Sequence, residues 1–345
     1  MPNETMTSAK SARRGFLPLA LGAMLWIAGA GPALAQVQIN PADVVGPSKC
    51  ADCHEGAIAV WRHTHHYATY TQMPRNPKAT VIARKMGLKR IKEGSLCLDC
   101  HFTTQMKDGK REAIAGISCE SCHGAGKGYV DVHSNYSGKK KNTESKAEAA
   151  ARWEKSEKAG MIRPKMMYRW AKNCYSCHIV PQEKLVNVGG HPAGSPFELV
   201  SWSQGEIRHN VWYTQGKSNP PADLKTRRKM FIVGMAVELE ESLRAVGEAT
   251  QRATYAVTMA KRADLARRRF AEATKLIGSI PEMEEIAKIG AAAQLKLNNK
   301  KALSEKADKI GELTQKIVEK YDGSTMGGID KALPGEDKWK GKPQL

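Results

Sequence analysis

Every cysteine in this chain sits in the same five-residue arrangement. CADCH (Cys50, Cys53, His54), CLDCH (Cys97, Cys100, His101), CESCH (Cys119, Cys122, His123) and CYSCH (Cys174, Cys177, His178) account for all eight cysteines. Two thiols one helical turn apart suit thioether attachment to the two vinyl groups of a porphyrin. The histidine that follows at once suits the proximal position on the iron. The rival readings fit less well. Four disulfides are the default for eight cysteines outside the cytoplasm, but here every pair is followed by histidine. Zinc sites use Cys-x-x-Cys as well, yet zinc does not require a histidine after all four pairs. A thioredoxin-like redox motif would not recur four times. The spacing therefore predicts four covalently bound haem c groups.

Each such iron has a second axial position. Ten histidines less four proximal ones leave His63, His65, His66, His133, His191 and His209, with 14 methionines as further options. Three of the six fall in WRHTHHYATY, residues 61–70. Residues 55–73 read as one helix, because no glycine follows Gly56 and no proline precedes Pro74. Twelve helical residues rise roughly 18 Å, so His66 is too far along to serve the haem of His54. It is expected to ligate another. His63 lies one turn back on the same face, and His65 points about 100° away into solvent. His133 follows the glycine-rich GAGKGYVDV and is likewise a candidate for a different haem.

The elements that must position these ligands are mainly helical. Residues 46–216 show no long periodicity, and aromatic residues are only 6% of the chain. Haem faces would supply the missing apolar surface, which predicts a loop-rich domain that needs its cofactor to fold. From Pro220-Pro221 the texture changes. Residues 222–322 hold no Cys, no His and a single Pro, Pro281. Apolar residues recur there at helical spacing: Met230, Val233, Val237, Leu243 and Val246, then Val257, Leu265 and Phe270. Three helices are expected, 222–250, 252–278 and 282–321, packed as a hairpin or bundle. The organisation read from sequence is a secretory signal at 1–35, a tetrahaem cytochrome c domain at 36–219, a helical domain at 220–322 and a flexible tail at 323–345. The fold class is mainly α.

The signal reading rests on a basic start (Lys10, Arg13, Arg14), an apolar run from Phe16 to Ile27, and Ala33-Leu34-Ala35 before Gln36. The run is too short for a membrane anchor. Arg13-Arg14-Gly15-Phe16-Leu17 also resembles a twin-arginine signal for folded cargo. That reading is disfavoured, because haem attachment after export requires the chain to cross unfolded. The expected location is the periplasm, with cleavage after Ala35. The formal charge of +19 argues for an acidic redox partner protein. Nucleic acid is disfavoured, since no nucleic-acid module is recognisable.

The region from Ser48 to His178 resembles the tetrahaem cytochrome c-554 family. The resemblance is carried by KCADCH with Trp61 and Thr64-His65-His66, by CLDCH with a short hairpin-like spacer to GISCESCHGAG, by Val132-His133, and by CYSCH. It implies electron acceptance from hydroxylamine oxidoreductase, His133 on the haem of His54, and His66 on the haem of His123. It also implies a five-coordinate, open iron at His101, and a fourth haem at His178 whose ligand comes from further along the chain. His191 is preferred for that haem by proximity. His209 can serve it instead, or close the iron at His101.

Electron transfer is the leading functional reading, with haems spaced as a wire. The alternatives are catalysis on nitric oxide, nitrite or hydroxylamine at an open iron on His101, or a subunit of a larger complex or homo-oligomer joined through the C-terminal helices. For catalysis, no proton-donor set is identifiable.

Overall fold

The computed structural model describes residues 39–93 and 95–343. The expected signal segment, 1–35, lies outside the described residues. The chain runs α1 (Pro47–Ala51), α2 (Glu55–Trp61), α3 (His65–Gln72), α4 (Pro77–Lys85), α5 (Ser95–His101), β1 (Thr103–Lys107), β2 (Lys110–Ala115), α6 (Cys119–His123), α7 (Lys146–Lys158), α8 (Met167–His178), α9 (Glu183–Asn187) and α10 (Leu199–Ser203). Four further helices follow: α11 (Leu224–Gly247), α12 (Thr254–Ile277), α13 (Pro281–Ala291) and α14 (Lys300–Lys320). The fold is mainly α, with one two-stranded antiparallel sheet.

Local chemistry sets many of these boundaries. Pro47, Pro77 and Pro281 each open a helix at its first turn, where a missing N–H costs nothing. The Asn76 side chain caps α4 by accepting from the Lys78 and Ala79 amides. Ser145 and Glu148 form a capping box at α7. Asp108 (φ 49°) and Gly109 (φ 73°) make the two-residue turn between β1 and β2, where positive φ matches the twist of the strands.

The helix expected over 55–73 is broken. Arg62 to Thr64 leave the helical path, and the Thr64 hydroxyl accepts from the Tyr67 amide to start α3 afresh. A threonine that caps does not continue the helix beneath it. The third C-terminal helix is broken as well: residues 292–299 separate α13 from α14. Asn298 there adopts φ 54° and its amide donates to the Ala249 carbonyl.

One hydrophobic core crosses the expected boundary at 219/220. It joins Tyr168, Ala171 and Tyr175 of α8, with Ile179 just after it, to Val233, Val237, Leu243 and Val246 of α11 and Phe270 of α12. Val257 and Leu265, read from the sequence as part of this stripe, are exposed instead. The buried face of α12 is Tyr255, Met259, Ala263, Ala266, Phe270 and Ala273, a helical stripe that both residues miss. The stretch after Gly323, expected to be a flexible tail, is packed. Met326 and Ile329 are fully buried, and the Lys340 backbone bonds to Ser201 and Glu206.

Charges are buried within the same core. The Lys172 ammonium on α8 lies 2.6 Å from the Glu240 carboxylate on α11, and the Tyr168 hydroxyl donates to Glu240 at 2.9 Å. Arg244 bridges Glu240 to Asp308 on α14. The result ties the helix that carries CYSCH to two bundle helices.

Two outcomes follow. Phe270→Ala should cost about 3–5 kcal/mol, read by chemical denaturation of the haem-loaded protein. Burial, reinforced by Glu240, pushes the Glu241 carboxyl up to about 7. Its contribution to stability is therefore full below pH 4.5 and is lost as pH rises through about 7. Glu241→Gln should flatten the fall in stability of the wild type across that window.

Candidate haem centres

Each CxxCH motif lies at the end of a short helix. The first spans α1 and the turn before α2, the second closes α5, the third forms α6, and the fourth closes α8. The helices bring the motifs into contact. The Cys50 thiol lies near that of Cys119, and the Cys100 thiol near that of Cys177. Cys122 lies close enough to Cys177 for electrostatic influence.

The histidines come together in four pairs. His54 faces His133 with ring centres 6.2 Å apart, His66 faces His178 at 6.4 Å, His101 faces His191 at 6.2 Å, and His123 faces His209 at 6.1 Å. A metal–imidazole bond is about 2.1 Å and the bonding nitrogen sits about 1.1 Å from the ring centre, so two imidazoles on one metal have centres about 6.4 Å apart. Each pair contains one histidine of a CxxCH motif and one from elsewhere. Among the described residues, no group of three or more His, Cys, Asp or Glu converges as a zinc site would need.

The ring orientations fit the same use. Nδ1 of His123, His133, His191 and His209 lies 2.7–3.0 Å from the backbone oxygen of Ile162, Tyr129, Pro192 and Ile207 respectively. A carbonyl only accepts, so each Nδ1 carries the proton and Nε2 keeps its lone pair for a metal. His178 Nδ1 is held by the Ser195 hydroxyl at 2.8 Å. Burial pushes His101, His123 and His178 down to about 4, which leaves these rings neutral at ordinary pH.

The partners differ from three of the expected ones. His133 is opposite His54, as expected. His66 is opposite His178, not His123. The Thr64 cap turns α3, and the His66 carbonyl then accepts from Ile117 while Thr69 donates to the His101 carbonyl. This docks α3 across the second motif and aims His66 at the fourth. His191 is opposite His101 rather than His178, because residues 188–191 fold back on α9 through amides that bond to Lys184, Leu185 and Val186. His209 takes the place opposite His123. His63 is exposed. His65 is exposed too, and its Nδ1 lies 2.7 Å from the buried Glu206 carboxylate.

Several contributors carried no signal in the sequence. Glu120, inside CESCH, is fully buried, and its carboxylate accepts from the amides of Val45, Gly46 and Gly126. Phe197 stacks on His178 at 4.2 Å, and Trp212 lies 4.8 Å from His54. Arg262 of α12 donates to the His178 and Ser195 carbonyls. The buried Trp202 Nε1 has no hydrogen-bond acceptor, and its ring is 6.0 Å from His178. A donor there suits a carboxylate side chain of a bound haem.

Thiol pairs followed by histidine, each facing a second imidazole at metal-bridging distance, define a c-type cytochrome, a protein of electron transfer with covalently bound haem. Comparison with known proteins agrees and narrows the class. Residues 49–124 match the family of cytochrome c554 and c-prime. Over 142 residues the chain is 23% identical to cytochrome c-554 of Nitrosomonas europaea, a match covering 39% of this chain and 57% of that protein. These findings place the segment 49–124 in the cytochrome c554 family. No solved structure matches the chain. No helix among the described residues is long and apolar enough to cross a membrane.

The exposure of His65 separates it from its neighbour. His65→Ala should leave the visible absorption spectrum unchanged, whereas His66→Ala should shift one haem from low spin to high spin.

Proposed function

We propose that the chain is a periplasmic electron carrier holding four haem c groups, each with two histidine ligands. The observation that carries this reading is the set of four imidazole pairs, all with ring centres 6.1–6.4 Å apart. Bound haem supplies one-electron exchange between ferric and ferrous iron. The chain supplies the rest. Cys50 and Cys53, Cys97 and Cys100, Cys119 and Cys122, and Cys174 and Cys177 anchor the four groups. His54, His101, His123 and His178 are the proximal ligands, and His133, His191, His209 and His66 respectively are the distal ones.

The thiol contacts give the wire an order. Cys50 lies near Cys119, Cys122 near Cys177, and Cys177 near Cys100. Electrons would therefore pass between the sites of His54, His123, His178 and His101, in that sequence. The two ends are the sites of His54 and His101. His191 opposite His101 speaks against the open iron that the family resemblance implies, and so against catalysis on nitric oxide, nitrite or hydroxylamine there. The acidic redox partner and a place in nitrogen or other respiratory metabolism rest on the strong basic charge and on the family match.

Electron paramagnetic resonance of the oxidised protein tests the ligand set. The wild type should show only low-spin iron, and it should not bind carbon monoxide when reduced. His191→Ala and His209→Ala should each add about one high-spin equivalent. A high-spin signal in the wild type that does not grow in His191→Ala would restore the open site.

A further inference from the structure

The two ends of the wire are not alike. At the His54 end, the Trp212 ring lies 4.8 Å from the His54 imidazole and is 45% exposed. Tyr213, next in the chain, is 95% exposed. The Lys141 ammonium stands 5.0 Å above the Trp212 ring. It belongs to the run Lys139-Lys140-Lys141, and Lys217 ends the same tight loop as Trp212, its amide donating to the Thr214 carbonyl. Lys139 is paired with Glu148, whereas Lys140, Lys141 and Lys217 are in no ion pair among the described residues. The acids near this end are Glu148, paired with Lys139, and the exposed Glu55 and Asp131, which flank His54 and His133 in the chain. At the other end, Lys85 lies close to Gly190, but no exposed aromatic ring touches His101 or His191 among the described residues.

Resting on the electron-transfer reading above, we propose that Trp212, Tyr213 and the lysines around them form the docking port for an acidic one-electron redox protein. The two aromatic rings provide contact area at low cost in side-chain freedom, as at protein interfaces generally. The positive rim selects an acidic partner and raises the rate of encounter. A partner seated on Trp212 is one side chain from the His54 imidazole, so the electron enters or leaves at that end. One electron leaves the partner's reduced centre, one ferric haem iron becomes ferrous, and no proton or bond is exchanged.

The test uses the haem-loaded protein and a reduced acidic [2Fe–2S] ferredoxin as probe, mixed rapidly at low and high salt. Lys140→Glu with Lys141→Glu should lower the second-order rate constant about tenfold or more at low salt, and the loss should shrink as salt is raised. Tyr213→Ala should slow the reaction at both salt levels. Lys85→Glu with Lys184→Glu, the latter on the α9 turn that folds back to His191, makes the same charge change at the other end and should leave the rate within about twofold. Equal losses at both ends, or no loss at the port, would overturn the proposal. So would a port variant that reacts normally with ferredoxin but no longer binds phosphatidylglycerol–phosphatidylcholine vesicles, since the face would then be a membrane contact. A dimer abolished by Tyr213→Ala with ferredoxin rates intact would assign the face to a second copy, and again overturn it. Excess dithionite should reduce every variant as fully as the wild type. If it reduces none of them, the electron-carrier reading fails, rather than the port.

Discussion

The structure depends on holding two imidazoles about 6 Å apart, four times over. The paired histidines, 54 with 133, 66 with 178, 101 with 191 and 123 with 209, are each separated by about 80 to 110 residues. Every one of these intervals overlaps every other without enclosing it. No pair can close within a sub-segment that excludes the rest. The region from His54 to His209 is therefore one cooperative unit, and short capped helices suit it. They need only aim a ring, and on the proposed reading metal–ligand bonds would add to the core around α8 in offsetting the entropy of closing such long loops.

The C-terminal helices complete that unit instead of standing apart from it. α8 carries the fourth motif and lies in the same core as α11 and α12. Lys172 on α8 is anchored in the Glu240 cluster, and Arg262 on α12 reaches the His178 carbonyl. A buried charge network is costly to break once one partner is removed. Its placement makes the position of His178 sensitive to the packing of helices that carry no cysteine or histidine of their own. The packed end at Met326 and Ile329 extends the same scaffold.

The distal ligands show where resemblance stops helping. The family match ends at residue 124, while His191 and His209 lie well beyond it. The chain folds both back onto motifs inside the matched segment, opposite His101 and His123. A histidine from outside the shared region thus faces the motif whose iron the resemblance leaves open. The basic, aromatic face at Trp212 also lies outside the matched segment.

The sequence by itself determined the mainly helical class, the four Cys-x-x-Cys-His motifs on which the proposed haem chemistry rests, and the candidate distal histidines. These are local facts, readable because thioether attachment and axial ligation require adjacent residues. The Asp-Gly hairpin and the proline-led helix starts are legible for the same reason. Only the tertiary structure decided which distal histidine faces which motif, where α3 restarts, which side of α12 is buried and how the tail packs. Pairing depends on the direction of short elements, and one cap sets that direction: Thr64 turns His66 from one site to another. Spacing along the chain cannot encode such a turn, because the four pairs cross in sequence and only the closed fold satisfies them all.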